Sequence, residues 1–351
     1  MLYVSPRMLL SASRARPPAL EGKAAWPSFF RALALGGALV LTASISCPAG
    51  ETSASAVTKV APIPVKAPAR SKRSINASKW NWDLGRPEAA SRPYTIDVAR
   101  QHIQSIPLEA TALIVAGVYV GINQWNWGKT GFHFYREGWF GKSTAYGGVD
   151  KLGHAWSAHL MSDYITWRLR SLGFNTYESA ITAAMLTGVA FLAVEIGDGF
   201  SKYGASYEDF VASAVGIGFS FLRNTVPGLH EKVDFRMQYL PTGHGNALGL
   251  EDYSGKKFLL AWKFAGFEEL KDGPFRYFEL HTGYYTRGYY EWEHAAGIPK
   301  TRSPYIGIGL NLSELLFSHP SVHDTPPASI GRTLLKYIQL PYTYIASDNL
   351  R

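Results

Sequence analysis

Apolar and polar positions follow three different rhythms along this 351-residue chain. Between residues 96 and 228 the apolar residues come in long blocks. Pro107, suited to the first turn of a helix, leads into an apolar stretch at 108–122. Residues 150–169 place apolar side chains at mixed spacings of three and four, the period of a helix with one buried face. Residues 179–196 and 210–222 are apolar nearly throughout, yet their uncharged runs fall short of the roughly 20 residues that cross a bilayer. They are either short membrane helices or the inside of a bundle. Small residues recur four apart (Gly117 and Gly121; Ala184 and Gly188; Ala212, Gly216 and Ser220), a spacing that lets helix backbones approach closely in either setting.

From about residue 231 the period becomes two. Val233, Phe235, Met237 and Tyr239 alternate with Asp234, Arg236 and Gln238. Phe258, Leu260, Trp262 and Phe264 alternate with a mixed face that includes Lys257 and Lys263. Residues 275–290 are rich in Tyr and Phe, and 305–312 alternate Tyr305, Gly307, Gly309 and Asn311 with Ile306, Ile308, Leu310 and Leu312. Residues 336–345 read as a last strand, and Pro341 assigns it to an edge. Turn residues at 243–246 and 272–274 separate these runs. The predicted fold is α+β: an apolar four-helix domain at 96–228, then a five- or six-stranded antiparallel meander at 229–351. Strands and helices do not alternate, which argues against a doubly wound sheet. The aromatic alternation resembles outer-membrane strands, but five or six are fewer than the eight of the smallest closed barrels.

The third rhythm is N-terminal. An apolar run at 32–41 follows Arg14, Arg16, Lys23 and Arg31 and gives way to small residues around Cys47, the three parts of a secretory signal. Two processing routes remain open: lipid attachment at Cys47 as in bacterial lipoproteins, with Ser44 where leucine is usual, or cleavage after Ala54-Ser55-Ala56. Residues 1–47 are read as the signal segment and 48–95, rich in Pro, Ala, Ser and Lys, as a tether. Charge follows this division. The chain carries 35 Lys and Arg against 27 Asp and Glu, a formal +8. All of that excess lies before residue 75, and the remainder holds 25 of each sign. The folded part thus has no basic field for phosphates, and a nucleic-acid partner is not expected. Cys47 is the only cysteine, so no intramolecular disulfide forms. Trp80 and Trp82, Trp125 and Trp127, and Trp139 have indole rings suited to a bilayer interface or to the rim of a core.

The chemistry concentrates on otherwise apolar helices. Asp150 and His154 are four apart and share a face, with Lys151 beside them and Ser157 and His159 following. Glu195 and Asp198 are three apart at the end of the next apolar run. Ser206 suits an N-cap with Asp209 at its third position, and Ser213 lies four beyond. Such groups must pair, bind a cation or line a wet cavity. Three readings stand: a buried network in which Lys151 and His154 answer the carboxylates; a divalent metal site of imidazole and carboxylates; or acid–base chemistry with His154 as base. No nucleophile elbow surrounds Ser157 or Ser213. His244, His281, His294, His319 and His323 are scattered, and surface or turn positions are expected for them.

Glu137-Gly-Trp139-Phe140, the run Gly147 to Ala155, Glu195-x-x-Asp198-Gly and Ser206-x-x-Asp209-x-x-x-Ser213-x-x-Gly216 resemble the YfiM-type family of periplasmic or outer-membrane lipoproteins, a domain of unknown function. The order of motifs is also similar to that of VanZ-like membrane proteins, more loosely, because Ser213 stands where those have asparagine. The resemblance covers about residues 130–225. It implies a location in the bacterial cell envelope, periplasmic or outer-membrane associated, with the polar helix set as the shared core; membrane lipid or envelope components are the expected partners. It implies no reaction. The leading expectation is a non-catalytic, membrane-associated structural or accessory protein with no cofactor beyond the divalent metal left open above. The rival is an envelope hydrolase acting on lipid or cell-wall material through His154, Asp150, Glu195, Asp198 and Asp209.

Overall fold

A computed structural model describes residues 93–244 and 251–347. The signal segment, Cys47, Trp80, Trp82 and most of the tether lie outside the described residues. All four expected helices are present, each slightly longer than its apolar run. Before them comes a helix missed in the sequence, α1 (Ile96–Ser105), capped by the Thr95 hydroxyl. Pro107 then starts α2 (Pro107–Asn123), bent 80° from α1. Proline has no backbone N–H with which to continue the earlier helix, which sets the break there. The next helices are α3 (Val149–Ser171), α4 (Thr176–Asp198), which the Asn175 side chain caps, and α5 (Tyr207–Thr225), which Ser206 caps. α3, α4 and α5 pack on one another, and α2 leans on α4.

A short helix, α6 (Leu229–Lys232), turns the chain into β1 (Val233–Tyr239). The other strands are β2 (Lys256–Lys263), β3 (Phe278–Arg287), β4 (Thr301–Leu310) and β5 (Tyr344–Ala346), and each pairs antiparallel with the next. Short helices α7 (Glu291–Ala295), α8 (Leu312–Phe317), α9 (Pro320–His323) and α10 (Pro326–Leu335) fill the connections. The single last strand expected at 336–345 is not formed. Instead Tyr337 and Gln339 exchange backbone hydrogen bonds with Met237 on the free edge of β1. The chain then turns at Pro341 and Tyr342, whose φ is +64°, and β5 pairs with β4. Proline suits that turn because it fixes its own φ. One stretch of chain thus borders both edges of the β1–β4 sheet.

The two faces of the sheet reverse the usual order. Register places Asp234, Ala261, His281, Gly307 and Ala346 in one row, and all five are sealed from solvent. Arg236, Leu259 and Tyr305 follow in the parallel row and are buried too. Polar groups on this face answer one another. Arg236 donates to both oxygens of Glu279, at 2.6 and 3.0 Å, and to Asp234 at 3.0 Å. Arg223 from α5 joins Asp234 to Asp163 of α3. His281 pairs with Glu279 at 2.8 Å, so the surface or turn position expected for it is wrong. The opposite face is apolar. Phe235, Phe258, Leu260 and Tyr284 pack on Val149, Leu152, Ala155 and Trp156 of α3. Further along the same face, Ile306 and Ile345 are 62% and 66% exposed.

His159 lies between these layers, fully buried against Phe219, Phe235 and Tyr337, with neither ring nitrogen hydrogen-bonded. Burial lowers its pKa to about 4, against an opposing pull from Asp163. The unfolded chain takes up this proton near pH 6.5. Below that pH the unfolded state binds more protons, so stability falls as pH drops from 6.5 toward 4. Between pH 7 and pH 4.5 this one group should account for about 2–3 kcal/mol. Urea unfolding of wild type and His159→Phe at both pH values checks it: the gap between the two proteins should move by that amount in favour of the variant at acid pH.

Candidate functional site

The start of α3, the end of α4 and the start of α5 meet at one end of the bundle, and they bring the predicted polar residues with them. The loop before α3 turns on Gly147 and Gly148, with φ of +65° and +85°. A Cβ on Gly148 would sit 2.8 Å from the Cα of Phe140, so only glycine lets the 137–140 segment lie this close to α3. Gly138 N–H donates to Glu208 of α5 at 3.2 Å, which fixes that segment from the other side. Glu137 is thereby delivered to the cluster. It was not among the residues predicted for the site, because it comes from a loop with no helical spacing; its place in the quoted motif was the only signal.

Two groups of ligand-bearing side chains share Asp209. In the first, Glu137, Asp150 and Asp209 surround the Lys151 ammonium, which is 2.6 Å from Asp150 and 2.7 Å from Asp209 and pairs with Glu137 as well. Burial opposes the charge on Lys151, but these three carboxylates together push its pKa up. In the second, His154, Glu195 and Asp209 bring ligand atoms within 4.8 Å of one another. His154 Nδ1 is 3.9 Å from Glu195 Oε1, and Nε2 is 3.8 Å from Asp209 Oδ1. Ser206 N–H donates to Glu195 Oε2 at 3.1 Å, while Oε1 is buried without a hydrogen-bond partner.

The electrostatics follow from burial and crowding. Burial, reinforced by Asp209, raises Glu195 to about 9 and Glu137 to about 8. Burial raises Asp198 to about 7 despite a 2.7 Å hydrogen bond from the Trp127 indole. That indole sits where Gly121 of α2 and Gly197 of α4 leave room; a Cβ on either would overlap the ring. Asp198 therefore anchors Trp127 and belongs to neither three-residue group. Ser206 caps α5 through Asp209 N–H at 3.2 Å. Ser213 is buried one turn beyond Asp209 with its hydroxyl unpartnered, and Ser157 is exposed on α3. Among the described residues no serine hydroxyl is hydrogen-bonded to His154, and its carboxylate neighbours stand beyond the roughly 3.2 Å reach of a proton-transfer pair.

Every residue of both groups falls in one matched segment. Residues 136–225 match the family described as predicted periplasmic lipoprotein (DUF2279). The matched stretch runs from the Glu137 loop to the end of α5. Its description agrees with the cell-envelope location expected from the N-terminal segment, and it names a domain of unknown function rather than a reaction. No curated protein and no solved structure shows a match to the chain.

Proposed function

We propose that the protein is a non-catalytic accessory component of the bacterial envelope that seats on a membrane through the outer faces of α2, α4 and α5. The exposed apolar stripe on these helices carries the reading. On α4, Met185, Val189, Leu192 and Ile196 follow one another at helical spacing, with Val189 67% exposed. On α5, Val211, Val215 and Leu222 do the same, with Val215 64% exposed, and α2 adds Ile114, Val115 and Tyr119. A helix apolar on its open face as well as its packed one asks for a second apolar neighbour. α4, at 23 residues, is long and apolar enough to cross a bilayer by length and composition, and the bent pair of α1 and α2 passes the same test when taken together. The protein-facing side of α4 carries Glu178, Ser179, Thr182 and Glu195, so lipid meets only one side of it. The outward Ile306, Ile308 and Ile345 of the sheet add a second apolar patch. A lipid on Cys47 would give an independent attachment, and two attachments make membrane binding stable where one leaves it reversible. The narrower likeness to YfiM-type and VanZ-like proteins rests on the order of motifs alone.

The test places an environment-sensitive fluorophore on a cysteine at Val189 and, separately, at Asp324, an exposed residue on the far part of the chain, each in a Cys47→Ser background so that one thiol is labelled. The full-length protein is reconstituted in phospholipid vesicles containing nitroxide-labelled lipids. The Val189 probe should shift to the blue and be quenched several-fold more than the Asp324 probe. Equal, water-like spectra at both positions would refute the docking face.

A further inference from the structure

We infer that His154, Glu195 and Asp209 form a binding site for one divalent first-row transition-metal ion of the Zn2+ or Mn2+ type. Three observations beyond the presence of acidic residues carry it. First, Glu195 is only 5% exposed, and its two oxygens are treated differently: Ser206 N–H holds Oε2, whereas Oε1 is buried, unpartnered and directed at His154. A buried oxygen left without a partner is costly unless something positive answers it. Second, the chain supplies its own cation to the neighbouring group. Lys151 closes Glu137, Asp150 and Asp209, while among the described residues the only basic side chain within ion-pair distance of Glu195 is the imidazole of His154. Third, Glu195 sits in the last turn of α4, where the helix dipole is negative and a carboxylate is disfavoured unless a cation is near.

The geometry fits the chemistry. Metal–ligand bonds of about 2.1 Å put the ligands of a tetrahedral ion about 3.4 Å apart. Nδ1 lies 3.9 Å from Glu195 and Nε2 lies 3.8 Å from Asp209, and an ion takes one of these two ring nitrogens; the three ligand atoms, one from each residue, lie within 4.8 Å of one another and would close by up to about 1.4 Å around it. One imidazole nitrogen and two carboxylates suit zinc or manganese better than magnesium or calcium, which favour oxygen alone. Two carboxylates would neutralise a divalent charge. His154, about a fifth exposed, lies on the side open to solvent and gives an ion an entry path. Asp209, held by Lys151 at 2.7 Å, is the ligand fixed from outside the site.

The full-length protein is purified, treated with chelator, dialysed, and titrated calorimetrically with ZnCl2, MnCl2 and MgCl2. One Zn2+ or Mn2+ per chain should bind and raise the melting temperature, with Mg2+ at least about 10-fold weaker. Glu195→Gln keeps the acceptor for Ser206 N–H and should weaken binding by about 100-fold or more, as should His154→Gln. Ser213→Ala, one turn from Asp209, should bind like wild type. If Glu195→Gln does not fold, the more exposed His154 variant decides. Absence of binding, binding unchanged in either ligand variant, or Mg2+ binding as tightly as Zn2+ would each overturn the inference.

Discussion

Arg236→Met should destabilise the protein by about 3–5 kcal/mol, the range found when one partner of a buried ion pair is removed. Arg236 and Glu279 are both buried, and the guanidinium meets the carboxylate with two parallel hydrogen bonds. It also reaches Asp234 and the Gln339 side chain, so it ties β1 to β3 and to the segment that borders β1. Burial alone would raise the pKa of Glu279; Arg236 and His281 bring it below its ordinary value instead. Without Arg236, that carboxylate keeps only His281. Asp234 is less affected, because Arg223 and Lys263 still hold it, at 2.6 and 3.0 Å. The damage should therefore come chiefly from Glu279. Denaturant unfolding of Arg236→Met, Glu279→Leu and the double variant tests this: the double variant should recover much of the loss, giving a coupling energy of about 2 kcal/mol or more. Additive effects would show that the pair does not act as a unit.

The sequence shows this network's positions but not its burial. Period two assigns Asp234, Arg236 and Gln238 to one face of β1 and Phe235 and Met237 to the other, and nothing in the alternation says which face water meets. The aromatic face packs on α3 or lies open at β4 and β5, whereas the ionic face is sealed. A hint lay in β4, whose alternate residues Gly307 and Gly309 leave space on the polar side; a Cβ on Gly309 would overlap the His281 ring at 2.5 Å. The helical cluster was more legible, because a charged group on an apolar helix has few explanations and spacing fixes its face. His154, Glu195 and Asp209 converge as the spacing allows, while Glu137 arrives through loop geometry that no period encodes. α8, α9 and α10 are short, and helices of that length form through packing rather than through a pattern of their own.

The convergence of that cluster depends on how near α3 and α5 come, and Gly216 sets the distance. A Cβ there would lie 1.9 Å from the carbonyl oxygen of Ala155, and 2.7 and 2.8 Å from its carbonyl carbon and Cα. These are backbone atoms of a buried helix and cannot swing aside. Gly216→Ala must therefore push the helices apart by more than an ångström, or bend one of them. Overpacking of this kind costs about 1–3 kcal/mol, and a backbone clash belongs at the upper end. Alanine's better helix propensity returns only about 1 kcal/mol. The net loss should be about 2 kcal/mol. Gly218, two residues on in the same helix, has nothing within 4 Å of its would-be Cβ. There the propensity gain stands alone, and Gly218→Ala should stabilise by about 0.5–1 kcal/mol. Opposite signs from the same substitution in one helix separate packing from propensity, and thermal unfolding of the two variants reads them directly. The separation also reaches the site. Asp209, Ser213, Gly216 and Ser220 form one buried stripe of α5, so a displaced stripe draws Asp209 away from Lys151 and His154 of α3. Gly216→Ala should then weaken metal binding along with stability, whereas Gly218→Ala should raise stability and leave binding unchanged. Equal binding in the two variants would mean that the cluster tolerates a change in helix spacing.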